Sequence, residues 1–280
     1  MKIGYTTWGM PKVPIDQALE YLAGLGFDAV EPAVIPGFTT ELDTLDAGER
    51  QRIRDLFDGY GLHMPAVAGH LSLMERDPRA HAENWRRLQG EVELCAEWAR
   101  GEDAPTLDTV VGGRPQDWEG ARDLIVERTK ALAEYAAGWG VIVSLEPHIG
   151  NALETPEQAA WLIEEIDSPY LRLNFDISHF DILGLDMAQT VARLAPYAAH
   201  THVKDQRGRA PDFEFLIPGE GPFDFVAYLR EMDKAGYTGS ITAEVSFMVQ
   251  KRPDYDPFAA AELCYRTLER AFARSGVARD

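Results

Sequence analysis

Cysteine is nearly absent from this 280-residue chain, and the two present, Cys95 and Cys264, lie far apart in helix-like stretches. That spacing makes neither a thiolate zinc site nor a disulfide framework, so both read as small core residues. Positive charge is also scarce. With 27 Lys and Arg against 46 Asp and Glu, the formal charge is −19. Such a surface repels a polyanion, which argues against a nucleic-acid partner. No run approaches the roughly 20 apolar residues that span a bilayer. The opening segment, Met1 to Met10, has no charged leader followed by a long apolar stretch, so a cytoplasmic protein without membrane contact is expected. No Gly-rich turn precedes a helix in a phosphate-binding pattern, Gly112-Gly113-Arg114 being a weak candidate; a phosphorylated substrate is not expected. Low-complexity segments and linkers are missing as well, so residues 1–280 read as a single domain.

What is present is ordinary globular composition, 45% hydrophobic and 26% charged, arranged as an alternation of strand-like and helix-like segments. Strands are expected at 2–7, 27–31, 62–68, 106–111, 141–146, 171–176, 199–204 and 240–245. Between them, 15–25, 47–60, 79–100, 119–139, 156–166, 186–197 and 223–236 carry apolar residues at spacings of three and four, as amphipathic helices do. A last helix over 258–274 puts Phe258, Ala261, Cys264, Leu268 and Phe272 on one face. Gly26, Gly61, Gly140 and Gly239 stand where left-handed helix caps are expected. Eight βα units imply an α/β fold, a closed (β/α)₈ TIM barrel. Two long loops, 205–221 and 246–257, follow the last two strands and read as lids or subunit contacts.

Four of the later strands end in a group able to ligate a metal: Glu146, Asp176, His202 and Glu244. In parallel neighbouring strands these ends meet on one face, so three carboxylates and an imidazole converge. Oxygen and nitrogen donors without thiolate suit a hard to borderline divalent ion, Mn²⁺ first, with Mg²⁺ or Co²⁺ as alternatives. Charges of about −3 and +2 leave a nearly neutral site suited to a neutral chelating substrate such as a ketose. A carbonyl polarised there acidifies the adjacent C–H, and Glu146 and Glu244 can remove and return the proton as general base and acid. Each of these acids, taken alone, is better explained as a solvated residue or helix cap; their coincidence is what argues for a site. His179, three residues after Asp176, can face the ion or the substrate, and His70 and His148 can bond sugar hydroxyls. Glu31 can accept from a hydroxyl and Trp8 can offer a flat apolar face. Lys204, Arg207 and Arg209 can bind an anionic group or pair with the abundant acids. His63, His81 and His200 read as structural.

With these residues in place, the chain resembles the sugar phosphate isomerase/epimerase family of the xylose-isomerase-like barrel superfamily. The resemblance rests on Leu-Glu-Pro-His around Glu146, Phe-Asp-Ile-Ser-His around Asp176, His-Val-Lys-Asp around His202, and the run from Pro218 to Phe225. It implies a (β/α)₈ barrel, one divalent ion on Glu146, Asp176, His202 and Glu244, proton transfer by the two glutamates, a small-molecule sugar substrate and a homodimer or homotetramer. The expected activity is isomerisation or epimerisation of a ketose or keto-sugar through an enediolate. The alternative is a lyase or dehydratase that eliminates water or an aglycone from an inosose or 3-keto-glycoside; a non-catalytic sugar-binding subunit ranks lower. The apurinic-site endonuclease branch of the superfamily ranks lower too, because its three-zinc cluster needs histidines that this chain lacks after strand four and after His202.

Overall fold

The computed structural model describes residues 1–101 and 103–280. Parallel strands β1 (Lys2–Thr6), β2 (Ala29–Glu31), β3 (Ala66–Ser72), β4 (Thr106–Val110), β5 (Val143–Glu146) and β6 (Leu171–Asn174) alternate with α1 (Ile15–Leu25), α2 (Ala47–Tyr60), α3 (Pro78–Glu97), α4 (Trp118–Ala137) and α5 (Pro156–Ile166). Then come α6 (Ile177–Asp181), α7 (Met187–Leu194), β7 (Ala198–His200), β8 (His202–Val203), the hairpin β9 (Asp205–Arg209) and β10 (Asp212–Leu216), α8 (Phe225–Lys234), β11 (Ser240–Ala243), α9 (Phe247–Gln250) and α10 (Pro257–Ser275). Hydrogen-bonded order runs β3-β4-β5-β6-β7 in one sheet and β2-β1-β11-β8 in the other. The sheets join where β7 continues through Thr201 into β8, and where Ala29 bridges His63 and Ala33 bridges Ala68. The result is the expected TIM barrel.

Alternation along the strands sorts the side chains into two environments. Ile3, Tyr5, Val30, Val67, Leu107, Val143, Leu145, Leu171, Leu173, Val203 and Ile241 belong to one buried core shared with the helices. The intervening positions include Glu31, Asp108, Ser144, Glu146, Asn174, His200, His202 and Thr242, all buried and all polar. A barrel lumen is ordinarily filled by branched apolar side chains. Here apolar burial between strands and helices, about 1.5–3 kcal/mol per large side chain, supports a lumen reserved for chemistry.

Several boundaries differ from the sequence reading for local reasons. The third strand begins at Ala66 rather than residue 62, because Pro65 has no N–H to offer a ladder. The seventh is split at Thr201. Gly26, Gly61 and Gly140 are left-handed as expected, but the residue that terminates α8 is Gly236, φ 81°. Gly239 is small for another reason, since a Cβ there would strike the Tyr237 hydroxyl. Residues 205–221, read as loop, contain the β9/β10 hairpin.

Glu91 on α3 is wholly buried against Gly69, and neither carboxylate oxygen has a hydrogen-bond partner. Burial pushes its carboxyl up to about 8. The folded state therefore binds the proton more tightly than the unfolded state, and stability drains away as pH rises from about 4.5 towards 8. Glu91→Met should remove that loss: its stability advantage over wild type, read from denaturant melts, is expected to be larger at pH 8.5 than at pH 5 by roughly 4 kcal/mol. An equal difference at both pH values would show that the acid is not held neutral.

Candidate metal centre and active site

Four barrel strands bring their chemistry to one end of the lumen. Glu146 is the last residue of β5. Glu244 follows β11 directly, its N–H donating to the Val203 carbonyl at 3.1 Å. His202 opens β8. Asp176 is the N-cap of α6, where Oδ1 accepts from the Ser178 N–H at 2.9 Å and from its hydroxyl at 2.6 Å, which aims Oδ2 at the lumen. One ligand atom from each of Glu146, Asp176, His202 and Glu244 lies within 4.8 Å of the other three, and all four residues are buried.

The His202 ring divides two environments. Its Nδ1 lies 3.1 Å from Glu244 Oε2, 3.4 Å from Glu146 Oε1 and 3.0 Å from Asn174 Nδ2, whereas Nε2 lies 2.7 Å from Glu31 Oε2. Lys204, 3% exposed, threads its ammonium among the acids: Nζ donates to Asp176 Oδ2 and stands 2.5 Å from Glu244 Oε2. Of the two roles open to Lys204 in the sequence, pairing with acids is the one observed. Burial opposes ionisation of Asp176, yet Lys204 holds its carboxyl down at about 2. Burial likewise opposes the same ammonium at Glu244, and the ammonium wins. Glu146 is also held well below the usual range against burial, by His202 and His70.

His70 sits at a register shift in β3 with φ 46°, a left-handed conformation costing a non-glycine residue about 1–3 kcal/mol. The bend brings Nε2 within 3.3 Å of Glu146 Oε2 and 3.5 Å of Asp108 Oδ2. Against burial, Asp108 and Glu146 lift this imidazole to about 9. His179 Nε2 lies 3.4 Å from Asp176 Oδ2 and 3.8 Å from Glu146 Oε1, with the His148 ring 4.0 Å from its own. Burial and His148 push His179 down to about 3. The Trp8 ring packs 4.6 Å from His70, 4.8 Å from Phe247 and 5.6 Å from Phe38, an aromatic wall beside His70.

Not every expected residue is gathered here. Arg207 lies on the hairpin, 65% exposed and bonded to Glu214, and Arg209 pairs with Asp181 there. Glu31 is wholly buried, with Oε2 on His202 and Oε1 unbonded 3.3 Å from His200, so it offers a hydroxyl no exposed face. Asp108 and Asn174 escaped the sequence reading, although Asn174 stands two residues before Asp176, in step with it along the chain. Asp205, passed over in His-Val-Lys-Asp, accepts from the backbone N–H groups of Gly219, Gly221 and Phe223 at 2.9–3.1 Å and so holds the Pro218 to Phe225 run in place.

Three carboxylates and an imidazole nitrogen facing one point fit a divalent ion. The Lys204 ammonium among them shows that the point attracts positive charge.

The profile of the xylose isomerase-like TIM barrel family matches residues 19–261, and the chain belongs to that family. An inosose dehydratase of Bacillus velezensis is 22% identical over 98% of this chain and 94% of its own. A fructoselysine 3-epimerase of Shigella flexneri is 24% identical over 90% of this chain and 93% of its own. Among solved structures, the 3-keto-D-glucoside 4-epimerase of E. coli superposes with TM-score 0.77 at 19% identity, covering 96% of this chain and 99% of that one. An IOLI protein with a bound zinc atom gives 0.78 at 19%, covering 98% of each chain. Relatives of this chain are thus enzymes, epimerases and dehydratases among them. No helix among the described residues is long and apolar enough to cross a membrane.

Proposed function

We propose that this protein is a divalent-metal-dependent isomerase or epimerase of a ketose or keto-sugar, with Mn²⁺ as the first ion to test. The observation that carries the reading is the placement of two glutamates from different strands, Glu146 and Glu244, at 3.4 and 3.1 Å from the same His202 Nδ1. The ion, held by Glu146, Asp176, His202 and Glu244, would supply Lewis acidity to a substrate carbonyl. A sugar seated between the two carboxylates can lose a proton to one and regain it from the other through an enediolate. His70 orients Glu146 through Oε2, and its positive charge favours the ionised base. The wall of Trp8, Phe38 and Phe247 suits the C–H face of a sugar ring, and His148 and His179, the latter beside Asp176, can bond hydroxyls.

A lyase or dehydratase reading uses the same carbanion and is favoured by the inosose dehydratase relative. Incubating Mn²⁺-loaded protein in D₂O with ketoses, inososes and 3-keto-glycosides separates the two. Deuterium on a carbon of a rearranged sugar, read by NMR and mass spectrometry, is the expected result. Loss of water or an aglycone would move the reading to a lyase, and no change in any compound would remove the enzyme reading.

A further inference from the structure

Glu31 has no solvent exposure and, among the described residues, no lysine or arginine partner, yet it is a carboxylate in a lumen. Burying an ion this deeply costs several kcal/mol unless hydrogen bonds offset it. Its two oxygens are divided between two imidazoles, Oε2 at 2.7 Å from His202 Nε2 and Oε1 at 3.3 Å from His200 Nε2. Those histidines flank Thr201, whose hydroxyl donates to the Ser240 carbonyl at 2.7 Å and pins the segment between β7 and β8 to β11.

We infer that Glu31 is a positioning residue that fixes the ring plane of His202, so that Nδ1 faces the point where Glu146, Asp176 and Glu244 converge. A carboxylate only accepts hydrogen bonds, so Glu31 keeps a proton on Nε2, 2.7 Å away, and leaves Nδ1 as the nitrogen that an ion at that point would meet. His200 Nε2 lies 3.3 Å from the second oxygen, an ion-pair contact without hydrogen-bond geometry. A histidine ligand oriented by a carboxylate behind it is a general device for raising ligand basicity, and its loss typically weakens metal binding 10–100-fold.

The inference rests on His202 being a metal ligand, and its test reads the ring and the affinity rather than turnover. In protein labelled with ¹⁵N-histidine and loaded with diamagnetic Zn²⁺, long-range proton–nitrogen correlations should show His202 carrying its proton on Nε2. Glu31→Met, of similar length but with no acceptor, should bind Mn²⁺ about 10–100-fold more weakly by calorimetry. Glu31→Gln, whose carbonyl can still accept from Nε2–H, should lose less affinity. A loaded wild-type ring protonated on Nδ1 would overturn the inference even if no variant folds. So would folded Glu31→Met, checked by circular dichroism, with Mn²⁺ affinity within threefold of wild type. If wild type bound no divalent ion, the proposed function would fall; if it bound one and Glu31→Met bound it equally well, the inference alone would fall.

Discussion

Glu244→Gln and Glu146→Gln are each expected to lower net conversion of the sugar by about 10²–10⁴-fold at saturating Mn²⁺, since a neutral amide can neither take nor return the proton. The two variants should not fail identically. If each glutamate serves one face of the reacting carbon, the glutamate left in either variant can still remove and return a proton on its own side. One epimer would then exchange its hydrogen with D₂O without inverting, and the other variant would do the same with the opposite epimer. Both substitutions preserve volume, and each glutamate lies within hydrogen-bond reach of His202 through an oxygen that the amide retains. A fall in affinity for the ion is therefore separable from a fall in turnover by titrating Mn²⁺. Net conversion within tenfold of wild type in either variant would sink the two-glutamate scheme. Loss of both exchange and conversion in one variant only would assign that residue as the sole base, as expected for isomerisation, where one group carries the proton between neighbouring carbons.

The ends of the barrel strands were legible in the sequence, whereas the lower lumen was not. Glu146, Asp176, His202 and Glu244 each follow a short apolar run, and a parallel barrel leaves such positions only one place to meet. Glu31 also ends a strand-like run, and the same logic gave it a substrate-facing role. Its strand is only three residues long, however, and the closed barrel sets its carboxylate against His200 and His202, which lie on strands from the far end of the chain. Depth along a barrel axis depends on register between strands, and a sequence read one strand at a time carries no register. The β9/β10 hairpin was concealed for a different reason. Phe213 and Phe215 alternate with Glu214 as a strand should, but Gly208 and Pro211 beside it read as loop. The fate of Lys204 was left open because it depends on the distance between Asp176 and Glu244, side chains 68 positions apart that only the closed barrel brings together.

Lys204→Met should produce the largest change in stability and the only gain in metal affinity. In the metal-free protein its ammonium is the sole lysine or arginine charge among the described residues in contact with Asp176 and Glu244. Taking one partner from such a buried arrangement strands the rest, at a cost of about 3–5 kcal/mol. For a chain of this size that corresponds to a fall in the metal-free Tm of roughly 6–15 °C. Methionine nearly matches the aliphatic stem, so the loss is of charge more than of volume and includes the ammonium's place 5.4 Å over the Phe215 ring. A divalent ion then meets three carboxylates with no resident cation to displace, and Mn²⁺ should bind at least about tenfold more tightly, a difference near 1.4 kcal/mol. Both effects point the same way in one experiment: the rise in Tm on adding Mn²⁺ should be larger in Lys204→Met than in wild type, because the ion both finds a better site and restores the missing charge. If the metal-free variant melts with wild type and binds Mn²⁺ no more tightly, the ammonium does not reside between these carboxylates, and Lys204 returns to the role of a substrate-binding cation. If turnover falls although the ion binds more tightly, Lys204 serves the reaction itself, as a fixed positive charge facing the oxygen on which negative charge develops.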